Sequence, residues 1–272
     1  MSLSNVTLTA GMRNNLLTLQ GTADLLKQTQ QRLSSGKSVN SALDNPTSFF
    51  AAQDSMNRAG DLSSRKDAMS EAVQTIQASS NGITAITSLI NAAKSLASSA
   101  SATSDTLSQM TYESQFLQIT SQITTLASDA GYRGTNLLTD GTLSIEFAPK
   151  AGDSKLTVTG FKANATSLGV TSAAVNWVVA GNASSALTYM DTALTTLRAK
   201  SSVLAGNLAV ITTRQDFTDN MINTLSTGAD NLTLADMNQE GANMLMLQTR
   251  QSLGTTALSL SSQAAQSVLR LF

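Results

Sequence analysis

Apolar residues recur every seven positions along most of this chain, and that period leaves few folds open. Positions 187, 190, 194, 197, 201, 204, 208, 211, 215, 218, 222 and 225 read Leu, Met, Leu, Leu, Ser, Leu, Leu, Ile, Gln, Thr, Ile, Leu. Nine of the twelve are apolar, at alternating steps of three and four, which is the seam of a helix that packs lengthwise on other helices. At 1.5 Å per residue it predicts about 58 Å of unbroken helix. Leu62, Met69, Ile76, Ile83, Ile90 and Ala97 form a second row at intervals of seven, joined later by Ile86, Ala93 and Ala100. Met12, Leu16, Leu19, Ala23, Leu26, Gln30 and Leu33 form a third. A shorter helix is expected through Phe116, Ile119, Ile123 and Leu126, ending before Gly131.

The ends of these helices carry local signals. Gly36 suits the left-handed cap of the first helix. Asp44-Asn45-Pro46 is a helix start with proline in the first turn. The last helix is expected to begin at Asn231 to Thr233, with Thr233 and Asp236 as its capping box. It carries two adjacent stripes, Leu253-Ala257-Leu260-Ala264-Leu271 and Leu258-Ala265-Val268-Phe272. Between the helical halves, Leu143–Phe147 and Leu156–Phe161 alternate with period two around Gly152-Asp153, which predicts a β-hairpin. Residues 162–182 are expected to be loop, with one further strand near Val175–Val179. The fold class is therefore mainly α: a long coiled-coil-like bundle with its N- and C-terminal helices paired and a small β-hairpin insertion.

Composition excludes much chemistry. The 272 residues include no Cys and no His, so structural zinc, haem ligation and Ser-His or Cys-His couples are unavailable. No disulfide can form. Charged residues are only 13% and the net charge is −1, which argues against nucleic-acid binding. No apolar run approaches the roughly 18 residues that span a bilayer, so no membrane insertion is expected. The first fifteen residues lack a basic segment followed by an apolar one, so no cleaved signal peptide is expected. Gly36-Lys37-Ser38 resembles the end of a phosphate-binding loop, but position 31 is Gln where that loop needs Gly. Asp236, Asn238, Glu240 and Gly241 match part of a calcium loop, but Leu247 stands where a bidentate Glu is required. No catalytic, cofactor or metal site is assigned. The sequons at Asn5, Asn164, Asn182 and Asn231 carry no assigned role.

A lone terminal helix with a two-row seam buries about two Leu-class side chains per heptad while seven residues are ordered, so it is marginal alone. The terminal stripes must pair with each other, with other chains, or with both. The residues expected to carry that assembly are Met12, Leu16, Leu19, Leu26, Leu33, Leu253, Leu258, Leu260, Val268, Leu271 and Phe272.

Three segments carry a family resemblance. Residues 31–46, Gln31-Arg32-Leu33-Ser34-Ser35-Gly36-Lys37-Ser38-Val39-Asn40-Ser41-Ala42-Leu43-Asp44-Asn45-Pro46, resemble the N-terminal signature of bacterial flagellins. Gly131-Tyr132-Arg133-Gly134-Thr135-Asn136-Leu137-Leu138 resembles the family's turn before its variable region, and Gln263 to Phe272 resembles its closing helix. The resemblance implies a filament subunit for swimming motility, with residues 1–40 and 232–272 as a terminal inner coiled coil. It implies a helical rod from 41–139 and 183–231, and a short variable insertion at 140–182. The implied partners are other flagellin subunits in a homo- or heteropolymer, junction and cap proteins, and an export chaperone with the flagellar type III export apparatus. The implied location is the extracellular flagellum. In flagellins detected by the mammalian Toll-like receptor, an Arg-x-Arg-Glu-Leu run follows the seam. The matching residues here are Ala92-Ala93-Lys94-Ser95-Leu96, so Ala92, Lys94 and Ser95 depart from it. Some flagellins carry O-linked sugars, for which Thr157, Thr166, Ser167 and Ser172 are candidates. The alternatives are a hook–filament junction protein of the same superfamily and, in another class, a cytoplasmic signalling helical bundle.

Overall fold

The computed structural model describes residues 10–148, 154–173 and 176–269. Five helices, α1 (Ala10–Ser35), α2 (Pro46–Ala102), α3 (Thr106–Asp129), α4 (Asn182–Thr233) and α5 (Met237–Leu269), enclose in sequence a hairpin of β1 (Thr142–Glu146) and β2 (Lys155–Thr159). The chain divides into two compact units, residues 1–57 with 224–272, and residues 58–223.

In the central unit the heptad rows fill a single core. Met69, Ile76, Ile83, Ile90 and Ala97 of α2 are buried, as is the accompanying row of Ala72, Ser79, Ile86, Ala93 and Ala100. The one hydroxyl in that row is satisfied locally, because Ser79 Oγ donates to Thr75 O at 3.0 Å. From α4, Met190, Leu194, Leu197, Leu204 and Ile211 enter the same core. From α3, Phe116 and Ile123 are fully buried while Ile119 and Leu126 are half-buried. Asp105 caps α3, accepting from Ser108 N at 2.9 Å.

The turn after α3 owes its form to side chains of the second family-like segment. Tyr132 and Thr135 exchange both backbone hydrogen bonds at 2.9 Å. Asn136 Nδ2 donates to the carbonyls of Ala127 and Ser128, and Asn136 Oδ1 accepts from Leu138 N. That amide therefore closes the α3 C-terminus and orders Leu137 and Leu138, both fully buried. The strands pair antiparallel with Leu143 opposite Val158 and Ile145 opposite Leu156. The expected turn residues Gly152-Asp153 lie outside the described residues.

Two expectations need correction. The last helix does not start at Asn231–Thr233. α4 runs to Thr233, whose hydroxyl donates to Ala229 O, and α5 begins at Met237. The cap is Asp236, whose Oδ1 accepts from Asn238 N and Gln239 N, so the cap and its N3 amide residue are Asp236 and Gln239. The strand expected at Val175–Val179 is also absent from its described part. Residues 176–181 are turns around Trp177, because burying the indole against Phe116, at 4.9 Å between ring centroids, outweighs local β preference. Trp177 Nε1 donates to Ala173 O and Trp177 N donates to Glu113 Oε2, so the buried ring and its backbone are both satisfied.

Candidate assembly site

The terminal unit is built on α1 running antiparallel to α5. Two contacts set the register. Arg32 Nη1 lies 3.2 Å from Glu240 Oε1. Leu19 sits over Gly254, where a Cβ would come within 2.7 Å of the leucine side chain. The same register puts Leu26 level with Leu247, which is buried.

The face that α1 turns inward differs from the sequence stripe in one row. Met12 is buried and Leu19, Leu26 and Leu33 are half-buried, as the seam requires. The second row is Asn15, Thr22 and Thr29 rather than Leu16, Ala23 and Gln30. Both choices share Met12, Leu19, Leu26 and Leu33, and Arg32 decides between them. It lies on the Thr29 flank, so the ion pair turns that flank to α5. Leu16 is left 39% exposed. On α5 the inward rows are Glu240, Leu247, Gly254, Ser261 and Met244, Gln251, Leu258, Ala265. Leu253 and Leu260 remain 65% and 62% exposed. The Val268 side chain, Leu271 and Phe272 lie outside the described residues.

The ion pair is tight on one side only. Glu240 is buried and Arg32 half-buried, while Arg32 Nε and Glu240 Oε2 are buried without a hydrogen-bond partner. An imperfect buried pair contributes little net stability, but removing one partner leaves an uncompensated charge. Its use here is register.

The signature segment 31–46 is a connector with most polar groups assigned. Ser34 Oγ donates to Gln31 O, and Ser35 Oγ accepts from Lys37 N at 3.2 Å. Gln31 is exposed. Gly36 adopts φ +69°, the left-handed turn that ends α1 at little cost only for glycine. The following strand-like residues stitch onto the α4–α5 junction. Ser38 N donates to Thr233 O at 2.7 Å, Ala235 N donates to Gly36 O at 3.0 Å, and Ser38 Oγ donates to the Thr233 and Leu234 carbonyls. Asn40 Nδ2 donates to Lys37 O. The Asp44 carboxylate accepts from Asn40 N, Ser41 N and Ser41 Oγ. Asn45 caps α2, accepting from Ser48 N.

In the central unit, Lys94 Nζ pairs with Asp191 at 2.5 Å and Ser95 Oγ donates to Asn91 O, while Ala92 is exposed. Among the described residues no group of three or more metal-ligating side chains occurs, and no helix is long and apolar enough to cross a membrane.

Residues 7–142 match the family model of the bacterial flagellin N-terminal helical region. The chain belongs to the flagellin family. It is 32% identical to Flagellin FljM of Caulobacter vibrioides over the full length of both chains. It is 27% identical to a flagellin of Brucella melitensis, covering 94% of this chain and 95% of that one. A Bacillus cereus flagellin crystal structure aligns with 60% of this chain and 90% of its own at TM-score 0.45 and 18% identity. As a flagellin, this protein is a structural subunit of the flagellar filament, an extracellular polymer of flagellin subunits.

The Arg32–Glu240 pair predicts a specific coupling. Arg32→Met and Glu240→Met each should weaken the helix pair by about 1–3 kcal/mol, and the double variant by less than the sum. Amide exchange protection in α1 measures this; additive losses would contradict it. The Asp44 carboxyl is held below its ordinary value of 3.8, chiefly by the Asn40 amide and then by that of Ser41. Its contribution is therefore complete above the unfolded value and is lost as pH falls through the lower folded value. Carboxyl NMR titration should place the Asp44 midpoint below 3.8; a midpoint at or above it would contradict the turn.

Proposed function

We propose that α1 and α5 form the inner coiled-coil domain of the filament and that neighbouring copies complete it. The supporting observation is the exposed leucine flank. Leu16, Leu253 and Leu260 lie on helices whose inward rows include Asn15, Thr22, Thr29, Gln251 and Ser261. The in-chain seam is thus partly polar, and much of the apolar content of both helices faces outward. Residues 1–40 and 232–272 act as this terminal domain, 41–139 and 183–231 as the rod, and 140–182 as the variable insertion. The terminal helices order fully on entering the polymer, a coupling of folding to association.

The same reading includes export through the flagellar type III apparatus with a chaperone. It also includes contact with junction and cap proteins at the filament ends, and polymerisation with identical or related flagellins. Replacing Leu253→Ser with Leu260→Ser tests the central part. These exposed changes are expected to leave monomer melting within about 0.5 kcal/mol and to prevent sedimentable filaments. Normal filaments from this variant would refute it.

A second reading concerns the receptor segment. The resemblance places Ala92 and Lys94 where detected flagellins have arginines. Lys94 is a single point charge already paired with Asp191, and it does not reproduce a bidentate guanidinium. Weak or no activation of the Toll-like receptor is expected in a reporter-cell assay with monomer at saturating dose, and a full response would overturn this.

A further inference from the structure

Without cysteine, the chain's most readily oxidised side chains are its thioethers, and its ten methionines are not alike. Met69 and Met190 are fully buried in the central core, and Met12 is buried in the α1 seam. Met56, Met110, Met237 and Met246 are exposed, Met110 by 56% and Met246 by 47%.

Position separates the four exposed ones. Met56 lies on α2 and Met110 on α3. Met237 opens α5 at the head of the inward row that continues through Met244, Gln251 and Leu258. Met246 stands one heptad before Leu253 and two before Leu260, so it heads the outward row of α5. With exposed Leu245 beside it, this row is an apolar strip about 21 Å long. Thr249 and Thr256 border the strip, and their hydroxyls donate to Leu245 O and Ser252 O on the same helix. Their protons are thus committed, and the sulfur of Met246 sits where the surface is built to be covered by something apolar.

Oxidation changes that fit at a single atom. The sulfur lone pair attacks one oxygen of hydrogen peroxide, the O–O bond breaks and an S–O bond forms. The departing hydroxide takes the proton of the transferred hydroxyl and leaves as water. Sulfur is oxidised by two electrons and the peroxide is reduced by two. The product replaces a weak acceptor with a strong, fixed dipole. In the open strip water satisfies the new oxygen. Under a covering apolar surface it loses that water without gaining a donor, which opposes burial.

We propose that Met246 is an oxidation site through which hydrogen peroxide controls assembly: the thioether lets a neighbouring copy cover the α5 strip, and the sulfoxide opposes it. This rests on the assembly reading of the exposed leucine flank and adds a chemical control to it. Covering the strip also shields the sulfur, so the site acts on free subunits and not on formed polymer.

The test treats full-length free subunits with hydrogen peroxide and follows the gain of one oxygen at each methionine by peptide mass spectrometry. Met246 should oxidise about as fast as Met110 and well ahead of Met69 and Met190. Oxidation as slow as that of the buried pair would overturn the site. The treated protein should need a roughly tenfold higher critical concentration to polymerise, equivalent to about 1.4 kcal/mol, with monomer melting unchanged. Treated Met246→Leu should stay close to its untreated value, and untreated Met246→Gln, which places an uncharged acceptor there, should reproduce the rise. An unchanged critical concentration with Met246 oxidised would overturn the proposal, as would result if Arg250, one turn on, donated to the new oxygen. An equal loss in treated Met246→Leu would also overturn it, by moving the effect to another methionine. Failure of the untreated, unsubstituted chain to polymerise would overturn the assembly reading itself.

Discussion

A seam between two helices covers one side of each, and this chain has more apolar flank than its in-chain seams cover. In the central unit the excess is modest, because α2, α3 and α4 share one core that takes rows from each. In the terminal unit α1 has α5 as its helical partner, and a third of the seam positions are Asn, Thr, Gln or Ser. The register of that pair rests on Arg32 and Glu240, and the choice of face follows from them. Turning the Thr29 flank inward leaves Leu16 outside, and the antiparallel partner leaves Leu253 and Leu260 outside as well. Incomplete burial at the ends is thus a consequence of how the charge pair orients two amphipathic helices.

The connector makes that orientation reproducible. Backbone hydrogen bonds from Ser38 and Ala235 tie the exit of α1 to the entry of α5. Gly36 ends α1 in a left-handed turn, and Asp44 and Asn45 restart the chain as α2. The family signature is therefore a polar scaffold for a turn, with one half-buried arginine that sets register. That agrees with a subunit whose work is to pack against copies of itself.

How much the sequence disclosed depended on whether the deciding contact was local. The α2 and α4 seams were legible because bulky apolar residues recur every seven positions without proline. The hairpin was legible because its alternation is strict on both sides of a turn. The face of α1 was ambiguous, since two stripes share Met12, Leu19, Leu26 and Leu33 and the arbiter, Glu240, lies 208 residues away. A signal did exist: Glu240 stands one heptad before Leu247 and two before Gly254, a polar residue on an inward row. The start of α5 was misplaced because Thr233 reads equally as a cap or as a last helical residue; the amide acceptor spacing from Asp236 to Gln239 was the better cue. The Trp177 turn had no periodic signature, because a single ring's burial beside Phe116 determines it.

The central claim is that the terminal helices are finished by neighbours. Amide hydrogen exchange of α1 and α5, compared between monomer and polymer, tests it most directly. Exchange in the monomer should be rapid along both helices and slowest near Arg32 and Glu240, and polymerisation should protect both helices throughout while the α2 and α4 core changes little. Equal protection of α1 and α5 in monomer and polymer would contradict the account.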